Sequence, residues 1–407
     1  MVNEAIHYYN SGGSLLHIVS LDAAKAFDKL WRAGLFFKLI GEISQVMWRA
    51  AYIYYSISMI IVSLNGEQGR LIKTSEGVKQ GGTLSPHLFN FFMNKLLVDC
   101  INKNIGARVG PVNVSIIAYC DDILLMSPVS GHINILLDAC AEYAGKWKLE
   151  FNSSKSEHYI TGPRERECKT QFMLNGTAIP RVDSLVYLGL PIGEQAFIND
   201  FFASKFSKTE RSLYSLRPMG CKPFMLSPNN VAYIYKQYCQ SQFKYGLEVL
   251  HIDKTCLKEI ETRQNILVKN SIGLGKYCLT TPLFDSLKIE SIKQLYMKHK
   301  VFFVKQIETN VLTKTLFSFL DEFYRHHKIP RGSFVAQCNE VERYAGTLGH
   351  TTSPKELITQ IETLHRCDNA GLVDTVKFYL YLMGSTREFS ELTAIVKHLK
   401  ALLNYEH

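Results

Sequence analysis

Two adjacent carboxylates between apolar strands constrain this 407-residue chain more than any other feature. Ala118-Tyr119-Cys120-Asp121-Asp122 stands between Val114-Ser115-Ile116-Ile117 and Ile123-Leu124-Leu125-Met126. Runs this apolar and β-branched pair as buried strands. A two-residue connection then presents Asp121 and Asp122 together at the tip of a hairpin. Like charges held side by side repel unless a cation neutralises them, and hard oxygen ligands suit Mg²⁺. An isolated Asp-Asp pair is more often a solvated turn. Here a third carboxylate and a glycine-rich turn stand at compatible places, and they tip the balance.

The third carboxylate is Asp22, at the end of the apolar run Leu15 to Leu21 that follows Ser11-Gly12-Gly13-Ser14. It sits where a strand stops and a turn begins. Taken alone, it reads best as the N-cap of the next helix. Beside the Asp121 hairpin it becomes one of three carboxylates able to converge on two metal ions, a pair that clamps the attacking and leaving oxygens of an in-line phosphoryl displacement.

Gly77-Val78-Lys79-Gln80-Gly81-Gly82-Thr83-Leu84-Ser85-Pro86 is the remaining element. Ser85 followed by Pro86 predicts a helix start with a side-chain cap. Leu88, Phe89, Phe92, Leu96, Leu97 and Ile101 continue it at helical spacing. Gly81 and Gly82 remove side chains where a ligand would approach the backbone. Gln80 offers both a donor and an acceptor there.

Together these blocks resemble the palm of a reverse transcriptase of the LINE-type (non-LTR), jockey-like retrotransposon branch. That family runs through an L-D-x-x-K-A-F-D block, a G-V-x-Q-G-x-x-L-S-P block and a Y-x-D-D block, matched here by Leu21–Asp28, Gly77–Pro86 and Tyr119–Asp122. Leu149–Lys155 is similar to its asparagine–lysine strand entry, and Tyr187-Leu188-Gly189 to its primer-supporting turn. The resemblance is close through residue 193 and looser to about residue 310.

The resemblance implies an activity: an RNA-directed DNA polymerase that adds deoxynucleotides to a primer 3′-hydroxyl on an RNA template, using two Mg²⁺ ions with Mn²⁺ as a substitute. It implies Asp22 and Asp121 as principal metal ligands, Asp122 as a weaker ligand or electrostatic partner, and the Ala23 carbonyl as a further ligand. Phe27 falls where the family keeps a bulky ring that excludes a ribose 2′-hydroxyl; without the motif, ordinary core packing explains it nearly as well. Gln80, Gly81 and Gly82 would border the incoming nucleotide and the template. Lys155 would approach the triphosphate, and Tyr187, Leu188 and Gly189 would support the primer end. Lys25 and Asp28 read as structural or helix-start residues.

The fold class expected is α+β: an antiparallel palm sheet packed on helices over residues 1–200, a mostly helical thumb and basic connection over 201–310, and a helical region of no legible role over 311–407. Gly34 to Ala51 reads as a helix, Ile57 to Asn65 as a strand before a Gly66–Gly69 turn, Ile133 to Trp147 as a helical stripe, and Asn175-Gly176 as a hairpin turn. Breaks are expected near Pro218–Pro228, Leu279–Pro282, Pro330–Ser333 and His350–Pro354.

Charge divides unevenly. Residues 1–200 hold 18 Lys+Arg against 18 Asp+Glu, whereas 201–305 hold 17 against 7. Phe206, Tyr214, Tyr233, Tyr235, Tyr238, Phe243, Tyr245, Tyr277 and Tyr296 interleave with those cations. Such a region suits contact with nucleic-acid phosphates and sugars, although many of its rings are expected in the core. No apolar run is long enough for a membrane span and no signal-peptide layout opens the chain, so an intracellular protein, nuclear or cytoplasmic, is expected. The ten cysteines form no Cys-x-x-Cys pair, and Cys338, His350, His365 and Cys367 match no metal-site spacing.

One departure from the family bears on activity. Only 21 residues precede Asp22, too few for the fingers that hold the triphosphate in related polymerases, so a truncated copy with weak or undetectable activity is expected. A non-catalytic, nucleic-acid-binding remnant is the competing reading. A group II intron maturase or viral RNA polymerase is disfavoured by Lys25-Ala26-Phe27-Asp28 and Gln80-Gly81-Gly82.

Overall fold

A computed structural model describes residues 1–163, 165–345, 358–359, 361 and 366–404. The chain divides into two compact units, 1–192 and 193–407.

The first unit opens with α1 (Val2–Ser11) and β1 (Leu16–Ala23), followed by α2 (Ala26–Lys29), α3 (Arg32–Lys38) and α4 (Gln45–Ser56). The single helix expected from Gly34 to Ala51 is broken. Gly41 takes a left-handed φ of 83°, and the Ser44 hydroxyl caps a fresh helix by accepting from Met47 N–H. The strand expected over Ile57–Asn65 is also fragmented. It yields β2 (Met59–Ile60) and β3 (Ser63–Leu64), which pair with β5 (Ile72–Lys73) and β4 (Glu67–Gln68) respectively. The turn falls at Asn65-Gly66, both left-handed, as a two-residue hairpin requires. All four pieces are exposed, so no core face fixes a longer strand.

Next come α5 (Ser85–Asn102), β6 (Arg108–Val109), β7 (Val112–Asn113), β8 (Ile116–Tyr119), β9 (Asp122–Ser127), α6 (Ser130–Trp147) and β10 (Phe151–Thr161). Two pairs of short strands and one short strand added to the main sheet complete the unit's strands. They are β11 (Met173–Leu174) with β12 (Thr177–Ala178), β13 (Arg181–Val182) on β10, and β14 (Leu185–Tyr187) with β15 (Leu190–Ile192). The main sheet runs β13-β10-β1-β9-β8. Only the β10–β13 pairing is parallel.

β1 is central and buried because Leu16, Ile18, Val19 and Leu21 leave almost no exposed surface. Helices α5 and α6 cover one face of the sheet. The expected α6 stripe (Ile133, Leu136, Leu137, Cys140, Tyr143, Ala144 and Trp147) is buried in full. In α5, Leu88, Phe89, Phe92 and Leu96 are buried, but Ile101 is 43% exposed and lies outside the stripe predicted for it. Lys38 locks α3 to both helices: its ammonium donates to Phe92 O at 2.7 Å and lies 3.8 Å from the centre of the Trp147 ring. Burial pulls its pKa down to about 8. The Asn175-Gly176 turn between β11 and β12 is as expected, with both residues left-handed.

Among its described residues, the regular structure of the second unit is helical. It comprises α7 (Gln195–Ser215), α8 (Pro228–Ile234), a π-helical turn (Tyr235–Cys239), α9 (Gln240–Lys244), α10 (Lys254–Ser271), α11 (Thr281–Leu287), α12 (Ile292–Thr309), α13 (Val311–Arg325), α14 (Phe334–Ala345), α15 (Ala370–Ser385) and α16 (Phe389–Leu402). The gaps between α7 and α8, α10 and α11, and α13 and α14 fall at the proline-marked breaks. The break at His350–Pro354 lies outside the described residues, as do His350 and His365. Of the interleaved rings, Phe206, Tyr235, Phe243 and Tyr296 are core residues, while Tyr214, Tyr233, Tyr238, Tyr245 and Tyr277 are exposed. No helix among the described residues is long and apolar enough to cross a membrane.

Candidate active site

Strand register gathers the acidic residues. β1 and β9 pair antiparallel from His17↔Ser127 to Leu21↔Ile123, which sets Asp22 across from Asp122 one position further on. β8 and β9 pair through Tyr119↔Asp122, so the two-residue turn consists of Cys120 and Asp121. This corrects the expected hairpin tip: Asp122 is the first residue of β9 and not part of the turn. Cys120 supplies the left-handed residue the tight turn needs, at φ 53°.

Three carboxylates thus share one end of the sheet. The pKa of Asp122 is raised, first by partial desolvation, then by the charges of Asp121 and Asp22. The same causes, with Asp121 and Asp122 as the charges, raise the Cys120 thiol. An all-oxygen set under mutual repulsion is chemically suited to a hard divalent cation. The set is not closed, however. Among the described residues, no three His, Cys, Asp or Glu side chains converge as a metal-holding group. Ala23 ends β1 opposite Phe151, and Ala24 N–H donates to Glu150 O at 2.8 Å, fixing the chain just past Asp22. Asp22 N–H donates to the buried Ser156 hydroxyl at 3.2 Å.

The glycine-rich loop docks on α2. Val78 N–H donates to Phe27 O at 2.7 Å and Gly77 N–H to Leu30 O at 2.8 Å. Gly77 has φ 76°, and a Cβ there would lie 2.4 Å from Asp28 O, so only glycine fits. Gln80 donates its amide to Asp28 Oδ1 at 2.9 Å. A carboxylate accepts only, so this contact fixes the amide orientation and turns the Gln80 carbonyl oxygen away from Asp28. Gly81, at φ 75°, has open space around it and is exposed, and Gly82 is half-buried. Ser85 is not the predicted cap. Helix α5 begins at Ser85 with Leu84 as its cap residue, and the Ser85 hydroxyl instead donates to Lys79 O at 2.7 Å, closing the loop on itself.

Phe27 divides its surface. Its ring stacks on buried Phe89 with centroids 5.0 Å apart, and it stays half-buried at the loop's edge. Lys155 is exposed in an irregular stretch of β10, where pairing with β1 jumps from Ser20↔Glu157 to Asp22↔Asn152. The bulge turns Lys155 out beside the strand end that carries Asp22. Leu188 and Gly189 form the β14–β15 turn, both left-handed at φ 51° and 71°. Tyr187 precedes them and donates its hydroxyl to Asp122 O at 3.1 Å. Its pKa is pushed up to about 12 by burial and then by Asp122.

Similarity to a known family shares the boundary of the first unit, whereas similarity to individual relatives runs beyond it. Residues 2–192 match the reverse transcriptase (RNA-dependent DNA polymerase) family, stopping where the first compact unit ends. These residues are a reverse transcriptase domain of the non-LTR retrotransposon kind. The chain is 23% identical over 279 residues to the RNA-directed DNA polymerase from mobile element jockey of Drosophila funebris, covering 67% of this chain and 30% of that protein. It is 30% identical over 184 residues to the Pol polyprotein of the R2DM element of Drosophila melanogaster, covering 43% of this chain and 17% of that protein. The match therefore takes in less than a third of either relative. Among solved structures, apo telomerase from Candida tropicalis overlays with a TM-score of 0.38 at 13% identity, covering 86% of this chain and 53% of that one; an overlay this loose carries no inference.

Two sets of supporting contacts in the reverse transcriptase domain emerge only from the structure. Asp28, expected to be structural, also holds Gln80 in place. Arg32, which no sequence motif marks, donates to Gly77 O at 2.7 Å, Thr74 O at 2.6 Å, Tyr55 O at 2.9 Å and Thr74 Oγ1 at 2.9 Å. The block pattern carries a signal for Asp28. For Arg32 there is none, because its acceptors are mostly backbone carbonyls that no sequence spelling reveals.

Proposed function

We propose that the chain extends a DNA primer on an RNA template, its first unit acting as an RNA-directed DNA polymerase palm. The observation that carries this reading is the β1–β9 register, which sets Asp22 across from Asp122 and beside the Asp121 turn. Asp22 and Asp121 would hold two Mg²⁺ ions, or Mn²⁺, with the Ala23 carbonyl and Asp122 as further donors. When bound, such ions polarise the reacting phosphate and lower the pKa of the attacking hydroxyl. Tyr187 anchors the backbone of Asp122, and the Leu188-Gly189 turn offers a rigid edge for the primer end. Phe27 stands against a ribose 2′-hydroxyl, and Gln80, Gly81 and Gly82 line the nucleotide. Lys155 supplies a cation for the triphosphate. We read residues 201–310 as thumb and basic connection, with the exposed tyrosines Tyr214, Tyr233, Tyr238, Tyr245 and Tyr277 among its contacts to phosphate and sugar.

Primer extension on an RNA template with deoxynucleotides and Mg²⁺ tests this, with Asp121→Ala as control. Extension that the variant abolishes supports the proposal; extension that survives in the variant refutes the assignment of Asp121. A second reading, a nucleic-acid-binding remnant without catalysis, is favoured by the open arrangement of the three carboxylates. Template binding with no extension in either Mg²⁺ or Mn²⁺ would select it.

A further inference from the structure

The second unit contains a concave site that the proposed reaction does not use. A cavity of about 710 Å³ lies between the π-helical turn and α9 on one side and the end of α11 and the start of α15 on the other. Its volume falls in the range of small-ligand sites. A mononucleotide unit fits such a space; a double helix cannot enter.

The charge of the cavity is its unusual property. Lys236, Lys244, Lys288, Arg366 and Lys377 line it, against Asp285, Glu290 and Asp374. Those acids are already engaged. Asp374 pairs with Lys377 at 2.9 Å, Glu290 with Lys298, and Asp285 accepts the Cys367 N–H at 2.5 Å. Among the described residues, Lys236, Lys244, Lys288 and Arg366 are in no ion pair. Five cations against three acids therefore leave the lining net positive, with four of the cations outside any ion pair. Burial first, then the neighbouring Lys288, lower the pKa of Lys236, and Glu290 offsets part of this.

Backbone geometry holds the cations in place. The Lys236 ammonium donates to Leu287 O at 3.3 Å and Lys288 O at 3.2 Å, closing the last turn of α11. Lys288 itself is left-handed at φ 55°, a position where glycine is relaxed and a lysine costs about 1 kcal/mol. The π-helical turn carries Lys236 and Gln237 onto the cavity wall; such turns are frequent at functional sites. Val373 adds a partly exposed apolar edge to the lining, backed by the buried Phe284 and Ile289.

We propose that this cavity binds one unpaired nucleotide of a nucleic-acid strand, its phosphate among Lys244, Lys288 and Arg366 and its base towards the apolar edge at Val373. The site lies wholly within residues 236–377 and does not depend on the polymerase reading.

The test uses the full chain, a short unstructured fluorescent RNA and the charge-removing variant Lys244→Ala/Lys288→Ala/Arg366→Ala. For single strands the log–log salt slope falls by roughly 0.7 for each phosphate left without its cation, so the variant, which strips the one phosphate of its partners, should give up roughly 0.7 of slope. The Cys367 thiol lines the cavity, so bound RNA should slow its alkylation, read by peptide mass, in the native chain and not in the variant. Lys288→Arg keeps the charge and should keep the protection, which separates loss of binding from loss of fold. An unchanged slope in the variant, or RNA that binds without protecting Cys367, overturns the proposal. Inorganic phosphate that protects as well as RNA would show a free-phosphate site and refute the strand. A duplex that protects equally would refute the unpaired nucleotide. Absence of primer extension alongside Cys367 protection would sink the polymerase reading and leave this one standing.

Discussion

Acid should loosen the strands that carry the candidate site, and one buried pair sets how much. His17 on β1 and His158 on β10 are 3% and 1% exposed, with Nδ1 of the first 3.3 Å from Nε2 of the second. Both rings pack edge-on against buried Phe172. Burial comes first in depressing both pKa values. For His158 the charges of His17 and Arg181 add to it, bringing it to about 3; for His17 Arg181 adds to it. A neutral pair can share one hydrogen bond, whereas a protonated ring must hold its charge in the core beside Arg181.

The sign follows from proton counts. The unfolded chain binds a proton at His158 below its ordinary pKa of 6.5, and the folded chain does not until about 3. Stability from this site is complete above pH 6.5 and is lost as pH falls towards 3. The slope in that window is about 1.4 kcal/mol per pH unit, so moving to pH 5 costs about 2 kcal/mol. All three tryptophans (Trp31, Trp48 and Trp147) lie in the first unit, so their fluorescence in urea titrations at pH 7.5 and pH 5 reports that unit alone. The double variant His17→Asn/His158→Leu should lose this part of the pH dependence, whatever its stability at pH 7.5. A native chain whose loss between the two pH values matches that of the variant to within about 0.5 kcal/mol would refute the reasoning, since the smallest effect this linkage allows is well above that.

Three further outcomes are expected. Arg32→Ala strips hydrogen bonds from the carbonyls of Gly77, Thr74 and Tyr55 and should cost roughly 2–3 kcal/mol in the same urea assay, with Arg32→Lys recovering only part. Gly77→Ala must relieve a 2.4 Å approach to Asp28 O at a left-handed φ, so it should destabilise the first unit by at least about 2 kcal/mol, while Gly81→Ala, with open space around it, should cost about 1 kcal/mol. Tyr187→Phe removes the hydroxyl held by Asp122 O and should lower stability by about 1 kcal/mol; if Tyr187 positions the hairpin, extension should slow with little change in primer affinity.

What the chain spells out and what it hides differ in kind. Helix α6 is readable residue by residue because its stripe repeats at the helical period and faces one core. The β8–β9 hairpin is readable because apolar strands flank a short polar turn, although the turn itself sits one residue earlier than the sequence suggests. Tyr119 and Asp122 both take ladder positions, and Cys120 accepts the left-handed conformation at the tip. The region from Ile57 to Lys73 misleads because it is apolar yet exposed; a run without a buried face has no period to betray its breaks. In the 201–305 segment the sequence cannot sort tyrosines, since Tyr235 and Tyr296 are buried among helices and Tyr238 and Tyr277 are not.

The site's two halves share one anchor, a few residues long. Asp22 and Ala23 end β1; Ala24 bonds to Glu150 O; Lys25, left-handed at φ 50°, turns the chain into α2. From there Phe27 O and Leu30 O accept the loop's Val78 and Gly77 amides, and Asp28 takes Gln80. The carboxylate end of the sheet and the glycine-rich loop are therefore tied to opposite ends of the same short turn and helix. Any shift of α2 along its axis moves Gln80 relative to Asp22, which makes the distance between them a property of local backbone geometry and not of the distant sheet edge. That is why Lys25 and Asp28, which touch neither metal nor nucleotide in the proposed reaction, still belong to the machinery that spaces its parts.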